Sequence, residues 1–100
     1  MKITDKTSGH SFTVYGIYWS GGKTFFCYFP AHSGGLSIFS EDEIQITDRN
    51  IESEFEYMRT DERISGLFHK HLLGDRLMDD LLEHDPAAYK KFVSLIGKAP

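Results

Sequence analysis

His10-Ser11-Phe12-Thr13-Val14-Tyr15-Gly16-Ile17-Tyr18-Trp19, then Ser20-Gly21-Gly22-Lys23, then Thr24-Phe25-Phe26-Cys27-Tyr28-Phe29 is the stretch that decides the fold. Its two outer parts are crowded with β-branched and aromatic side chains, which fit a pleated, half-buried surface. In strict alternation Phe12, Val14, Gly16 and Tyr18 fall on one side, and Thr13, Tyr15, Ile17 and Trp19 on the other. Apolar residues on both sides predict a strand that is buried on both faces near its end. The glycine pair supplies the positive φ angles of a tight hairpin. Pro30 then ends the returning strand, because it cannot donate to a ladder.

Downstream, Ala31-His32-Ser33-Gly34-Gly35 reads as a second turn before a strand at Leu36-Ser37-Ile38-Phe39. Ser40-Glu41-Asp42-Glu43 reads as a short turn, Ile44-Gln45-Ile46-Thr47 as a short strand, and Asp48-Arg49-Asn50 as another turn. From Ile51 to Met58 the alternation is clean. Ile51, Ser53, Phe55 and Tyr57 point one way, and Glu52, Glu54, Glu56 and Met58 the other, as in a strand with one wet face. Five short strands over residues 10–58 predict a small antiparallel sheet or partly closed barrel.

The period changes after Thr60. Ile64, Leu67, Phe68, His71 and Leu72 match the stripe of an amphipathic helix, and Leu77, Met78, Leu81 and Leu82 continue it. Gly74 marks a bend or break. A last helix is framed by Asp85 as N-cap, Pro86 at its first position and Gly97 at its C-terminal cap. Tyr89, Phe92, Val93 and Ile96 share one of its faces. The expected class is therefore α+β, with a β-rich portion over 10–58 and two to three helices over 61–97. Residues 1–100 form one domain on this reading. The composition, 40% hydrophobic and 26% charged, suits a core that needs neither metal nor disulfide.

Little in the sequence points to catalysis. The single cysteine, Cys27, lies in strand interior and reads as a small buried apolar residue, which suits a reducing compartment. Met1 to Lys6 shows no secretion signal, and no run reaches the ~18 apolar residues of a membrane span, so a cytoplasmic location is expected. On a helix His69 and His71 would lie about 200° apart and could not share a metal. His71 is expected in the helix–sheet seam and His69 in solvent. No zinc or calcium spacing appears, and each glycine pair lies between strands, where a hairpin explains it better than a phosphate cradle. Asp79, Asp80, Glu83 and Asp85 read as the wet side of a helix. No cofactor, metal or catalytic residue is expected.

Charge is the more informative signal. The net charge of −4 conceals a segment, residues 40–85, with fourteen acids against Arg49, Arg59, Arg63, Lys70 and Arg76, a net of −9. Glu41-Asp42-Glu43 sits at a turn. Glu52, Glu54 and Glu56 would line one strand face about 7 Å apart. Such acids keep a small domain soluble and discourage edge pairing. They also suit a basic protein partner. Nucleic acid is not expected, since the phosphate backbone is held by clustered Lys and Arg.

Val14-Tyr15-Gly16-Ile17-Tyr18-Trp19, Gly21-Gly22-Lys23-Thr24-Phe25-Phe26, Gly34-Gly35-Leu36 and Glu43-Ile44-Gln45-Ile46-Thr47-Asp48 together resemble a small Src-homology-three-like barrel. Leu77 to Asp85, followed by Pro86-Ala87-Ala88-Tyr89-Lys90-Lys91-Phe92, resembles the helical ending of short bacterial immunity proteins of polymorphic or contact-dependent toxin systems. The resemblance implies a cytoplasmic protein that occludes one cognate toxin. Immunity proteins to nucleases are often acidic, and the acidic segment here fits that role. The expected partner-binding residues are Glu41, Asp42, Glu43, Glu52, Glu54, Glu56 and Tyr57, with Trp19 as a further aromatic anchor. Two other readings remain open: an adaptor or subunit, phage-encoded or cellular, using a barrel-type surface, and a small ligand-binding domain or enzyme with Tyr15, Trp19, His32 or Cys27 at a pocket.

Overall fold

The computed structural model describes residues 1–30, 34–59, 64–74 and 77–100. The Ala31–Ser33 part of the second turn, His32 with it, lies outside the described residues, as do Thr60–Arg63 and Asp75–Arg76. The strands are β1 (Lys2–Asp5), β2 (Ser11–Ser20), β3 (Lys23–Tyr28), β4 (Ser37–Ser40), β5 (Ile44–Asp48), β6 (Phe55–Arg59) and β7 (Ser65–His69). Two helices follow, α1 (Leu77–Leu82) and α2 (Pro86–Ile96). The class is α+β, an open antiparallel sheet with two C-terminal helices.

Everything is organised around β2, which is ten residues long. One flank takes β3 through the hairpin, where Gly21 and Gly22 have φ of 59° and 80°, as its tight turn requires. The other flank is divided. Its first half pairs with β1, from Lys2↔Thr13 to Thr4↔Ser11, and its second half with β7, from Gly16↔Phe68 to Trp19↔Ser65. The sheet therefore forks into a branch β1–β5 and a branch β7–β6, with β4 beyond β3 on the far side. β4 and β5 are joined by a 3-10 turn, Glu41–Glu43, yet do not pair, so the sheet stays open.

The strict alternation expected along β2 is broken. Val14 pairs with Tyr28 and Gly16 with Cys27, which leaves Tyr15 as an extra, bulged residue. The bulge puts Val14 and Ile17 in one layer, with Ile3, Phe26 and Ile44, and turns Tyr15 into the other, with Phe29, Phe68, Leu81 and Phe92. Tyr15 and Ile17, placed on one side by counting, thus serve opposite cores. The β1–β5 branch closes one core and the helices cover the other.

The main departure from expectation lies at residues 64–72, which form β7 and a 3-10 turn (Lys70–Leu72) instead of a helix. The reason is the Phe68 ring. A Cβ built on Gly16 would lie 2.7 Å from Phe68 Cδ1, and one built on Gly66 would lie 2.5 Å from Phe68 Cε2. The ring therefore occupies space that only two glycines leave. Tyr18 stacks near it, with centroids 6.4 Å apart. A helix here would forfeit that packing and leave one flank of the second half of β2 without ladder partners, and peptide groups left unpaired away from water cost free energy.

Two further corrections follow. The strand expected from Ile51 to Met58 starts only at Phe55, because residues 53–54 turn and the Phe55 N–H donates back to the Glu52 carbonyl at 3.2 Å. The sheet has seven strands instead of five, since β1 and β7 both join it. β1 gave no sequence signal: Ile3 is fully buried, but its neighbours Lys2, Thr4 and Asp5 are polar.

The helical ending is as expected. Asp85 Oδ1 accepts from Ala87 N–H at 3.0 Å, Pro86 opens α2, and Gly97 closes it with φ of 76°. α1 is tied to the sheet where Leu36 N–H donates to the Leu81 carbonyl at 2.9 Å. No helix among the described residues is long and apolar enough to cross a membrane.

The glycine seat is open to test. Gly66→Ala is expected to cost about 1–3 kcal/mol, the usual penalty of overpacking. Gly74→Ala, where nothing lies within 4 Å, is expected to stay within about 0.5 kcal/mol of the parent chain. Urea denaturation of the two variants measures both.

Candidate functional site: an acidic edge beside a histidine cleft

The two acidic clusters are alike in sequence and differ in structure. Glu41, Asp42 and Glu43 form the corner between β4 and β5, and all three are used within the chain. Glu41 Oε1 accepts from Thr24 N–H at 2.8 Å, and Asp42 Oδ2 pairs with Lys23 Nζ at 3.1 Å. Glu43 Oε2 accepts from Ser40 N–H at 3.3 Å, while its carbonyl accepts from Lys6 N–H at 3.0 Å. The Asp42 pair is exposed and contributes little on its own. The bonds to backbone N–H groups are what pin the corner.

Glu52, Glu54 and Glu56 do not form the expected row, because the turn at residues 53–54 interrupts it. Glu56 stands exposed on β6, paired in register with Phe68, and Tyr57 beside it is 63% exposed. Glu52 and Glu54 instead line a cleft of about 300 Å³ with Thr13, Tyr15, Phe55, His69, Lys70, His71 and the end of α2, including Lys98. Among the described residues no hydrogen bond or ion pair engages these three carboxylates. Trp19 is exposed at the end of β2.

The cleft brings together the histidines that the helical expectation had separated. At the end of β7 the His69 and His71 rings lie 5.2 Å apart. His69 is the buried one, 8% exposed, against Tyr15 and Phe92 at 5.9 Å each and Phe55 at 6.2 Å. His71 is half-buried, so the expected assignment is reversed. His69 Nδ1 accepts from His71 N–H at 3.2 Å, which assigns a neutral imidazole with its proton on Nε2. Burial pushes the His69 pKa below its ordinary value, and His71 and Lys70 push the same way, against Glu54 and Glu52. Burial, and then Glu52, pushes the Tyr15 hydroxyl up. The cleft can therefore offer neutral hydrogen-bonding groups between carboxylates and lysines. No group of three or more His, Cys, Asp or Glu among the described residues is arranged to hold a metal ion.

A second recess has the opposite character. Tyr18, Cys27, Ile38, Met58, Ile64, Phe68, Met78 and Leu82 line an apolar groove of about 200 Å³ between the sheet and α1. Cys27 is buried there and its thiol is pushed up to about 12, so it is no nucleophile at neutral pH. Of the residues expected at a pocket, Tyr15 lines the first recess and Cys27 the second, Trp19 lines neither, and His32 lies outside the described residues. The histidine pair and the groove beside Met58 and Met78 were not foreseen. The Ser65-Gly66 pair, weak in a helix, was the available signal that residues 65–69 are a strand, from which both the histidine pair and the groove follow. Compared with known protein families, curated proteins and solved structures, the chain matches none.

The neutral, buried His69 gives a pH dependence of known sign. The unfolded chain takes up a proton at this residue near pH 6.5, and the folded chain resists it. The contribution is complete above pH 6.5 and is lost as pH falls from there toward the lowered folded pKa. Thermal unfolding between pH 8 and 5 is expected to show a declining midpoint in that window, and His69→Asn is expected to flatten the decline whatever it does to the midpoint at pH 8.

Proposed function

We propose that this chain is a non-catalytic binding protein that neutralises a basic protein partner by stoichiometric occlusion, in the manner of an immunity protein. Its docking surface is the stretch Glu52, Glu54, Glu56 and Tyr57. The observation that carries the reading is the contrast between the two clusters: Glu41, Asp42 and Glu43 are consumed within the fold, whereas Glu52, Glu54 and Glu56 have no counter-charge bonded to them among the described residues. A cationic partner is drawn toward such uncompensated carboxylates, which speeds encounter. Tyr57, largely exposed beside them, has the character of an interface anchor.

A second reading draws on the histidine cleft. At about 300 Å³ it sits at the small end of ligand pockets, and its mixture of neutral and charged groups suits a small polar ligand. A small molecule that raises the melting temperature, and loses that effect in His69→Asn, would favour it.

The first reading is tested by changing Glu52, Glu54 and Glu56 to lysine together and measuring association with the partner captured from native lysate. The association rate is expected to fall on the order of tenfold or more at low salt, with unfolding unchanged. Glu41→Ala, which removes the acceptor, is expected to do the reverse, lowering stability by about 0.5–1.5 kcal/mol through loss of the Thr24 hydrogen bond while binding persists. Unchanged association of the triple variant would contradict the assignment of this surface.

A further inference from the structure

β6 has one strand neighbour, β7, among the described residues, so its other edge is open. Which peptide groups face outward follows from the register. The Lys70 N–H donates to the Glu54 carbonyl at 2.8 Å, and the ladder continues from Phe55↔His69 to Arg59↔Ser65. Bonded and non-bonded pairs alternate in an antiparallel ladder. Glu56·Phe68 and Met58·Gly66 are therefore the bonded pairs, and Phe55, Tyr57 and Arg59 turn their peptide groups away from β7. The Phe55 N–H is already used by the Glu52 carbonyl. What remains along the edge is the N–H and C=O of Tyr57 and of Arg59, with the C=O of Phe55.

An open edge is usually guarded by charged side chains, lysine above all, by proline, a bulge or a covering loop. The charges on β6, Glu56 and Arg59, guard it against strands of like charge and not against a segment of complementary charge. β6 contains no proline and no lysine, and its register against β7 is unbroken. On one face stand Glu56 and Met58, and on the other Phe55, Tyr57 and Arg59. Met58 also lines the apolar groove. The edge thus offers, in order, a carboxylate and an apolar recess on one side of a ready strand template.

We infer that a partner adds an extended segment to β6 as a further strand, with a basic side chain beside Glu56 and an apolar one beside Met58. This rests on the proposed function and deepens it, by stating how the basic partner docks. Charge complementarity selects the occupant. A second copy of this chain, itself at −4, would bring another Glu52–Glu56 stretch to the same edge, whereas a cationic segment neutralises it. Backbone hydrogen bonds would supply affinity, and the alternating side chains specificity.

The test uses the full chain, labelled with nitrogen-15, and two synthetic hexapeptides of equal charge at low salt. The lysine–valine peptide has the order lysine, threonine, valine, threonine, lysine, threonine, which puts lysine and valine two apart on one face, and the lysine–proline peptide has proline in place of each threonine. The lysine–valine peptide is expected to slow exchange of the Tyr57 and Arg59 amide protons on the order of tenfold or more. The lysine–proline peptide, lacking half the donors, is expected to leave them exchanging freely. Glu56→Lys, checked for an unchanged thermal midpoint, is expected to weaken lysine–valine binding on the order of tenfold. Equal binding of both peptides without protection would overturn strand addition and leave the acidic docking surface standing. Binding of neither would overturn both. Protection that grows with the concentration of the chain alone would replace the basic segment with a second copy.

Discussion

The Phe68 ring lies across Gly16 of β2 and Gly66 of its own strand, close enough that a methyl group at either position would force its neighbours to shift. That seat holds β7 in register against the second half of β2, from Gly16↔Phe68 to Trp19↔Ser65. Once β7 is fixed, β6 follows as its antiparallel neighbour, with an open outer edge. His69 is carried into the cleft one residue later, against Tyr15 and Phe92. The acidic edge, the histidine pair and the apolar groove are thus consequences of one aromatic ring packed on two glycines.

The bulge at Tyr15 supplies the second constraint. Without the extra residue between Val14 and Gly16, one strand could not feed both cores in the observed way. With it, Val14 and Ile17 pack toward β1 and β5, while Tyr15 packs edge-on against Phe29 at 5.3 Å and Phe92 at 5.6 Å. Tyr15 then forms the floor shared by the helical layer and the polar cleft. Stability and the candidate site are coupled through this residue.

Much of the architecture was legible in the sequence, for local reasons. Gly21-Gly22 between aromatic runs, and Asp85-Pro86 with Gly97 around an apolar stripe, are signals in which turn or cap chemistry agrees with periodicity. What failed did so where tertiary packing overrode the local pattern. Ile64, Leu67, Phe68, His71 and Leu72 have helical spacing, but Phe68 gains more from its glycine seat than from a helix. The alternation of Glu52, Glu54 and Glu56 was genuine and the strand was not, since a turn consumed its first half. The site was legible only as charge. Sequence could not distinguish acids that cap a corner from acids left facing solvent, because that depends on whether the N–H groups of Thr24 and Ser40 come within reach.

The central claim is that residues 65–69 pair as a strand and thereby leave β6 with one bonded and one open side. Amide hydrogen exchange of the free chain, resolved residue by residue, reads this directly. Alternation along β6 is expected, with the Glu56 and Met58 amides slow and the Tyr57 and Arg59 amides fast. Uniform protection along β6, or a continuous helical block of protection from Ile64 to Leu72, would contradict the account.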